Sequence, residues 1–592
     1  MFKSVSTKLT IATILVAMTT VACEKTDKAS LLDYVPADSP YVFASIAPLP
    51  DAVFDKLAPK IDRILQSYET LLREIAGMAI EKSADDGDDS EDAEKAAAVI
   101  AELSSLMSVD GLRGAGFDRK STAVFYGNGL LPVLRIEVSD GALFESALSR
   151  IEEKAGEKMD VATIAGSPVR YVVAKEAKVL VSIHEKQVVI SVAPAAFSDK
   201  QIAELLGLSP PKSSIADSGV LRSIASEYGF NDYFVGYIDI ERIAETVTGD
   251  ANSLDEALMA ILEDLDESDE SVESVESVEL ADVPESGELS DVCRAEIRSM
   301  AGVMPRIVMG YTNISPQRFD SQFIIELRDD IATSLTALTA PVPGLGGDPG
   351  GLMSFGMSID VMAMRNFYEA QLDALEADPF LCEAFADLQA GIEQGRMALQ
   401  QPVPPMVYDF RGFVGVIKDI EGLDMAKRTP PTSVDGRFLL AMDNVPALVS
   451  FGAMLSPELA GLDLQPDGEP LQLDLPQAQM LGGDVFVAMT DDALALSVGD
   501  GAETELARML TADATDNGTF LSFSMDAARY YTFIGEAMAL SEPDDEDTMS
   551  PEFQAAMQDM MLVIADIYDR MFVDVRFTEK GIVIDSSVTL RD

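Results

Sequence analysis

Residues 233–243 read Tyr-Phe-Val-Gly-Tyr-Ile-Asp-Ile-Glu-Arg-Ile, and residues 520–530 read Phe-Leu-Ser-Phe-Ser-Met-Asp-Ala-Ala-Arg-Tyr. In each, an apolar strand-like run hands over at an aspartate to a helix-like run, with arginine three residues on. An aspartate at that junction accepts hydrogen bonds from the first free amides of a helix, and an arginine one turn later can reach back to it. Asp239, Arg242, Asp526 and Arg529 are therefore read as helix-capping residues with a structural role. A strand-to-helix unit that occurs twice constrains the fold strongly, because repeated sequence implies a repeated supersecondary unit.

Other segments recur in the same order. Lys178–Ala193 reads as a hairpin followed by the helix Ser198–Leu206, and Asp484–Val498 as a hairpin followed by the helix Ala502–Leu510. Ile307–Thr312 with Phe319–Leu327 closes one set, and Met571–Thr578 with Ile582–Leu590 closes the other. Tyr41–Ala47 leads into a helix from Asp51, as Leu352–Ile359 leads into one from Asp360. The expected organisation is copy one at 31–338, a Pro/Gly-rich linker at 339–351, and copy two at 352–592. Acidic insertions at 83–94 and 263–290 interrupt copy one and read as solvated loops.

Strands gathered in hairpins, rather than alternating regularly with helices, argue for antiparallel pairing. Gly127-Asn128-Gly129, between Ser121–Tyr126 and Leu130–Val138, supplies a tight-turn sequence. The expected class is α+β: two tandem related copies, each an antiparallel sheet with helices packed on one face.

The chain has 592 residues, enough for more than one core, and is 47% apolar. Its formal charge is 43 − 101 = −58. A surface so acidic repels phosphate backbones, so no nucleic-acid partner is expected.

The N-terminus resembles a bacterial lipoprotein signal. Lys3 and Lys8 precede an apolar stretch, Leu9–Met18, and Thr20-Val21-Ala22-Cys23 closes it. The resemblance implies a signal peptide at 1–22, a lipid-bearing Cys23 with acyl chains of the palmitate class, and a polar tether at 23–30. Leucine is usual three residues before the cysteine, where this chain has Thr20, so ordinary cleavage after Ala22 stays open. Glu24 rather than aspartate follows the cysteine, which in such lipoproteins points to the outer membrane, periplasmic face; a soluble periplasmic protein is the alternative. With Cys23 used for lipid, Cys293 and Cys382 remain, and an oxidising compartment suggests a disulfide between them, two buried free thiols being the alternative. Both cysteines are expected in helices, at Asp291–Val303 and Pro379–Gly395.

The catalytic inventory is thin. The single histidine, His184, reads as an exposed turn residue, which leaves no triad and no multi-histidine metal site. Ser209-Pro210-Pro211-Lys212 matches S-x-x-K in letters only, because two prolines forbid the helical turn that chemistry needs. The glycines of 344–351 lack phosphate-loop spacing. No cofactor, metal or catalytic residue is assigned. The opening Val35-Pro36-Ala37-Asp38-Ser39-Pro40-Tyr41, with Leu131-Pro132-Val133-Leu134-Arg135-Ile136-Glu137, resembles uncharacterised bacterial envelope proteins carrying a domain of unknown function. That resemblance brings no activity with it.

Three functions are weighed. The first is a non-catalytic periplasm-facing lipoprotein that binds or scaffolds an envelope partner. The second is a carrier or sensor of an apolar ligand, a lipid or acyl chain, suggested by methionines such as Met549, Met557, Met560 and Met561. An uncharacterised hydrolase is third.

Overall fold

The computed structural model describes residues 30–85, 90–174, 177–184, 186–249, 289–422, 431–456, 461–473, 483–499, 501–514, 518–540 and 551–591. Helices and antiparallel strands are both abundant, so the class is α+β. Cys23, the signal-like segment, the tether up to residue 29 and residues 263–288 of the second acidic insertion lie outside the described residues.

The chain gathers into two compact units. The first contains β1 (Tyr41–Ala44), β2 (Ala123–Asn128), β3 (Leu131–Glu137), β4 (Asp160–Ile164), β5 (Ser167–Ala174), β6 (Ala177–His184), β7 (Gln187–Pro194), β8 (Val235–Asp239) and β9 (Arg306–Ile314). Hydrogen bonding orders them β9-β8-β1-β2-β3-β7-β6-β5-β4, antiparallel throughout. The helix Gly141–Ala155 lays Phe144 and Leu148 on Leu134, Ile136, Val181, Val188 and Ile190. Burying side chains of this size contributes roughly 1.5–3 kcal/mol each.

The second unit contains β10 (Arg318–Glu326, from Asp320 on), β11 (Met353–Ser358), β12 (Phe410–Glu421), β13 (Ser433–Met442), β14 (Leu471–Gln472), β15 (Val485–Met489), β16 (Ala493–Val498), β17 (Thr519–Asp526), β18 (Tyr568–Thr578) and β19 (Gly581–Leu590). Its order is β10-β19-β18-β17-β11-β12-β13-β16-β15-β14. Val342, Val414, Val416, Leu439, Ala441, Ala493 and Met509 form its central apolar cluster.

Both expected caps form. Asp239 Oδ1 accepts from Arg242 N–H and Asp526 Oδ1 from Arg529 N–H, each at 2.9 Å. Only the first arginine turns back toward its cap, at 3.7 Å; Arg529 pairs with Asp419 instead. The β2–β3 turn falls one residue later than expected, at Gly129-Leu130, where Gly129 takes the positive φ of 57° that a side chain would resist.

Four expectations need correction. The compact units do not follow the contiguous halves 31–338 and 352–592, since among the described residues 289–304 and 320–338 belong to the second unit and 551–563 to the first. Side-chain bonds tie two of these segments to their units. Glu296 accepts from Leu381 N–H and Cys382 N–H at 2.7 and 3.1 Å, and Asp559 accepts from Ser67 Oγ at 3.4 Å. The segment 339–351 is not a free linker, because Ala340 and Val342 are buried in the second unit's core. In the first acidic insertion, residues 83–85 and 90–94 are helical. Finally, Cys382 is not helical: the helix Val361–Ala377 stops before Pro379, which disfavours helix in its predecessor, and Cys382 precedes the short turn Glu383–Phe385.

Cys293 and Cys382 are disulfide-bonded, their Cα atoms 4.8 Å apart across 89 residues. Cys293→Ser is expected to lower the urea midpoint of the second unit's transition by an equivalent of about 2–4 kcal/mol. Non-reducing peptide mapping that recovers both cysteines as free thiols would remove the basis of that expectation.

Sequence reading also passed over Arg135. It is fully buried, and among the described residues no carboxylate pairs with it. Its Nη1 donates to Gln187 Oε1 at 2.7 Å, Nη2 to the carbonyls of Leu206 and Gly207, and Nε to Tyr126 Oη at 3.3 Å; its guanidinium lies over the Tyr34 ring at 4.6 Å. The two carbonyls end the helix Asp199–Leu205, where the helix dipole is negative. Arg135→Ala strips several buried acceptors of their donor, and a loss of about 3 kcal/mol in denaturant unfolding is expected.

Candidate functional site

In the second unit, residues 344–351 form a strap across strands β11 and β17. Gly344, Gly346, Gly347, Gly350 and Gly351 all have positive φ between 73° and 91°, which the glycine-rich sequence permits and most residues would resist. The strap is clasped at three points. Arg570 on β18 pairs with Asp348 and donates Nη1 to the Gly351 carbonyl at 2.8 Å. Arg437 Nη2 donates to the Pro349 carbonyl at 3.2 Å. Asp574 accepts a hydrogen bond from the Gly347 N–H.

Beneath the strap lies a patch of buried polar groups. Ser354 and Ser524 face each other across β11 and β17, their hydroxyls 2.7 Å apart, and Ser524 Oγ donates to Asp348 Oδ1 at 3.0 Å. Ser522 pairs in register with Asp574 and hydrogen-bonds its carboxylate. Asp574 is 9% exposed, and its Oδ1 has no hydrogen-bond partner. Arg576 is committed to Asp585, with Nε donating to Oδ2 at 2.7 Å, and Gln322 Nε2 donates to the other Asp585 oxygen at the same distance. Among the described residues Asp574 carries no ion pair.

The two strap-holding carboxylates are tuned in opposite directions. Burial pushes Asp574 up from the usual carboxylate range, against hydrogen bonds from Ser522 and the Gly347 N–H; Asp585 pushes the same way and Arg576 opposes. Burial would also raise Asp348, but hydrogen bonds from Arg570, the Gly350 N–H and Ser524 outweigh it and hold that carboxyl below the usual range.

The space between strap and strands is lined by Gly344, Gly346, Gly347, Ser354, Gly356 and Ser522 among others, and with its open mouth measures about 180 Å³. Its enclosed part is about 10 Å³, room for no more than one water, and far from the roughly 300–1,000 Å³ of common ligand pockets. Among the described residues no group of three or more His, Cys, Asp or Glu gathers as a metal site.

None of the residues singled out from the sequence lies in this patch, although the capping Asp526 pairs in register with Arg570. His184 is half-buried at the end of β6, not an exposed turn residue: its Nδ1 lies 3.1 Å from Ser167 Oγ and its ring meets Tyr34 edge-on. Asp348 sat in a segment read as a linker, and Asp574 in a strand read only for its apolar content. Comparison with protein-family models and with curated protein sequences finds no match for this chain.

The opposed shifts make a pH prediction. Asp348, lowered in the fold, contributes stability above its unfolded value near pH 4, and that contribution is lost as pH falls through the folded value. Asp574, raised in the fold, contributes stability below its unfolded value, lost as pH rises through the folded one. Urea unfolding of the second unit from about pH 3 to about pH 8 is expected to show both slopes. Asp348→Asn should flatten the acid-side slope and Asp574→Asn the other, and wild-type slopes retained in either variant would contradict the assignment.

Proposed function

We propose that the chain is a non-catalytic lipoprotein, anchored through Cys23 to the outer membrane and facing the periplasm, that works by binding or scaffolding an envelope partner. The observation that carries this reading is Cys23 at the end of a basic-then-apolar segment, followed by only a short polar stretch before the 3-10 helix Leu31–Tyr34, which Ser30 caps. Among the described residues no helix is long and apolar enough to cross a membrane. Two or three acyl chains on one cysteine would hold the protein firmly where a single chain would not.

The body behind the anchor is proposed to be two tandem copies, each an antiparallel sheet with helices on one face. Support comes from strand order, since β9-β8-β1-β2-β3-β7-β6-β5 and β18-β17-β11-β12-β13-β16-β15-β14 place corresponding elements at corresponding positions. The registers agree as well. Asp239 pairs with Arg306, and Asp526 pairs with Arg570.

Cys23→Ala in the producing bacterium is expected to abolish incorporation of labelled palmitate and to move the protein from the membrane to the soluble periplasmic fraction. Unchanged labelling and fractionation would overturn the anchor. Crosslinking of the anchored wild type, with recovery of an envelope protein absent from the Cys23→Ala sample, tests the scaffold half of the reading.

A further inference from the structure

The helix Val445–Leu455 has no ionisable side chain, in a chain whose formal charge is −58. It starts where β13 ends, and the Asn444 side chain caps it by accepting from Ala447 N–H at 3.2 Å. One side of the helix meets the sheet. Val445, Leu448 and Val449 pack with Leu440 and Met442 of β13, Met489 of β15 and Leu494 of β16. Phe451, Met454 and Leu455 lie outside that cluster. Their i, i+3, i+4 spacing puts them on one side of the helix, and they are 43%, 77% and 71% exposed. A contiguous apolar patch of this kind marks an interaction site, whereas scattered exposed apolar residues need no explanation.

The first unit shows how a helix in such a place is covered. Gly141–Ala155 likewise follows a central strand, β3, and packs Phe144 and Leu148 on the sheet. It is also in contact with the helix Ser90–Leu106, and Arg150 Nε donates to Glu102 Oε1 across the pair at 2.6 Å. Val445–Leu455 has the inner contact but leaves Met454 and Leu455 bare. The complement of an apolar helix side is the apolar stripe of another helix.

Charge selects among amphipathic helices. Val445 N–H donates to the Asp491 carbonyl at 3.1 Å, Leu464 packs on the same cluster as Leu448 and Val449, and Gly468 N–H donates to the Met489 carbonyl at 2.9 Å. The β15–β16 turn and residues 461–469 are thereby held beside the helix, bringing the exposed Asp491, Asp463 and Asp467 to it. Among the described residues none of these three carboxylates forms an ion pair, and Asp443, next to the cap, shares Arg411 with Asp360. The rim is therefore negative. It repels a second copy of this acidic chain and anionic lipid headgroups, and it attracts a helix with basic flanks.

We propose that Phe451, Met454 and Leu455, with the rim of Asp463, Asp467 and Asp491, dock a basic amphipathic helix of a partner protein. The partner's apolar stripe covers the three side chains while its lysines or arginines face the rim, so binding weakens as salt rises. The proposal names the chemistry of the partner in the scaffold half of the function proposed above and rests on that half, not on the Cys23 anchor.

The test uses the whole chain carrying Cys23→Ala, so that no detergent is needed whether or not Cys23 bears lipid. The probe is a labelled leucine–lysine peptide of about 18 residues arranged as an amphipathic helix, read by fluorescence anisotropy against a scrambled peptide of the same composition. The amphipathic peptide is expected to bind about tenfold more tightly than the scrambled one, and Met454→Gln with Leu455→Gln to weaken it about tenfold. Both side chains are exposed, so that double variant should keep its urea midpoint. Asp463→Asn with Asp467→Asn should flatten the salt dependence, and Leu381→Gln, at a residue 73% exposed elsewhere in the second unit, should leave binding unchanged. Equal binding of the two peptides, binding of neither, or affinity unchanged in the Met454 and Leu455 double variant overturns the proposal. So does a surface that ignores the peptide but loses, in that variant, self-association in sedimentation velocity or binding to phosphatidylcholine–phosphatidylglycerol vesicles, results that assign it to a second copy or a bilayer. Crosslinking in cells that recovers one envelope protein equally from wild type and the double variant removes this docking surface and leaves the scaffold reading standing.

Discussion

The register between each capping-aspartate strand and its neighbours is the constraint from which the rest follows. Asp239 caps the helix Ile240–Thr248 while its strand pairs with β1 on one side and β9 on the other. Asp526 does the same between β11 and β18. A shift of one residue in such a strand would move every side chain to the opposite face. Locking the register therefore decides which residues of three adjacent strands share a face, and in the second unit that face carries Ser354, Ser522, Ser524 and Asp574.

The same frame has been filled by two different chemistries. The first unit spends its central positions on Val42, Val235 and Tyr237 and closes the gap over Gly310 with Phe230. In the second unit the corresponding face is polar, and the covering segment is a strap held by Arg570, Arg437 and Asp574 as well as by Leu345 on the apolar cluster. A buried hydroxyl or carboxylate is tolerable only with partners. Every serine of the patch has one, and the lone unmatched atom is Asp574 Oδ1. The first unit's own buried charge, Arg135, is handled differently, by a helix C-terminus, two side-chain oxygens and the Tyr34 ring instead of a carboxylate.

Covalent and side-chain links join segments far apart in sequence. The helix Asp291–Ala301 is bound through Cys293 and Glu296 to residues 381 and 382. The helix Pro551–Ile567 places Asp559 beside Ser67. The helix Asp291–Ala301 falls in the second compact unit, and residues 551–563 of the other helix fall in the first.

Local pattern was enough to read the α+β class, the hairpins β6–β7 and β15–β16, both aspartate caps and the cysteine pair, because each depends on residues close in sequence or on simple counting. The spacing Arg306 to Gly310 against Arg570 to Asp574 was present in the sequence too, but it carried no meaning until pairing showed that glycine and aspartate occupy one position of the sheet. Tertiary structure alone decided that the glycine-rich segment is a clasped strap, that Cys382 lies outside a helix, that His184 is half-buried, and that Arg135 and Asp574 are buried charged-type side chains. The physical reason is common to all of these. Burial and counter-charge depend on which strands and loops meet across tens to hundreds of residues, and periodicity within one segment does not record what lies against it.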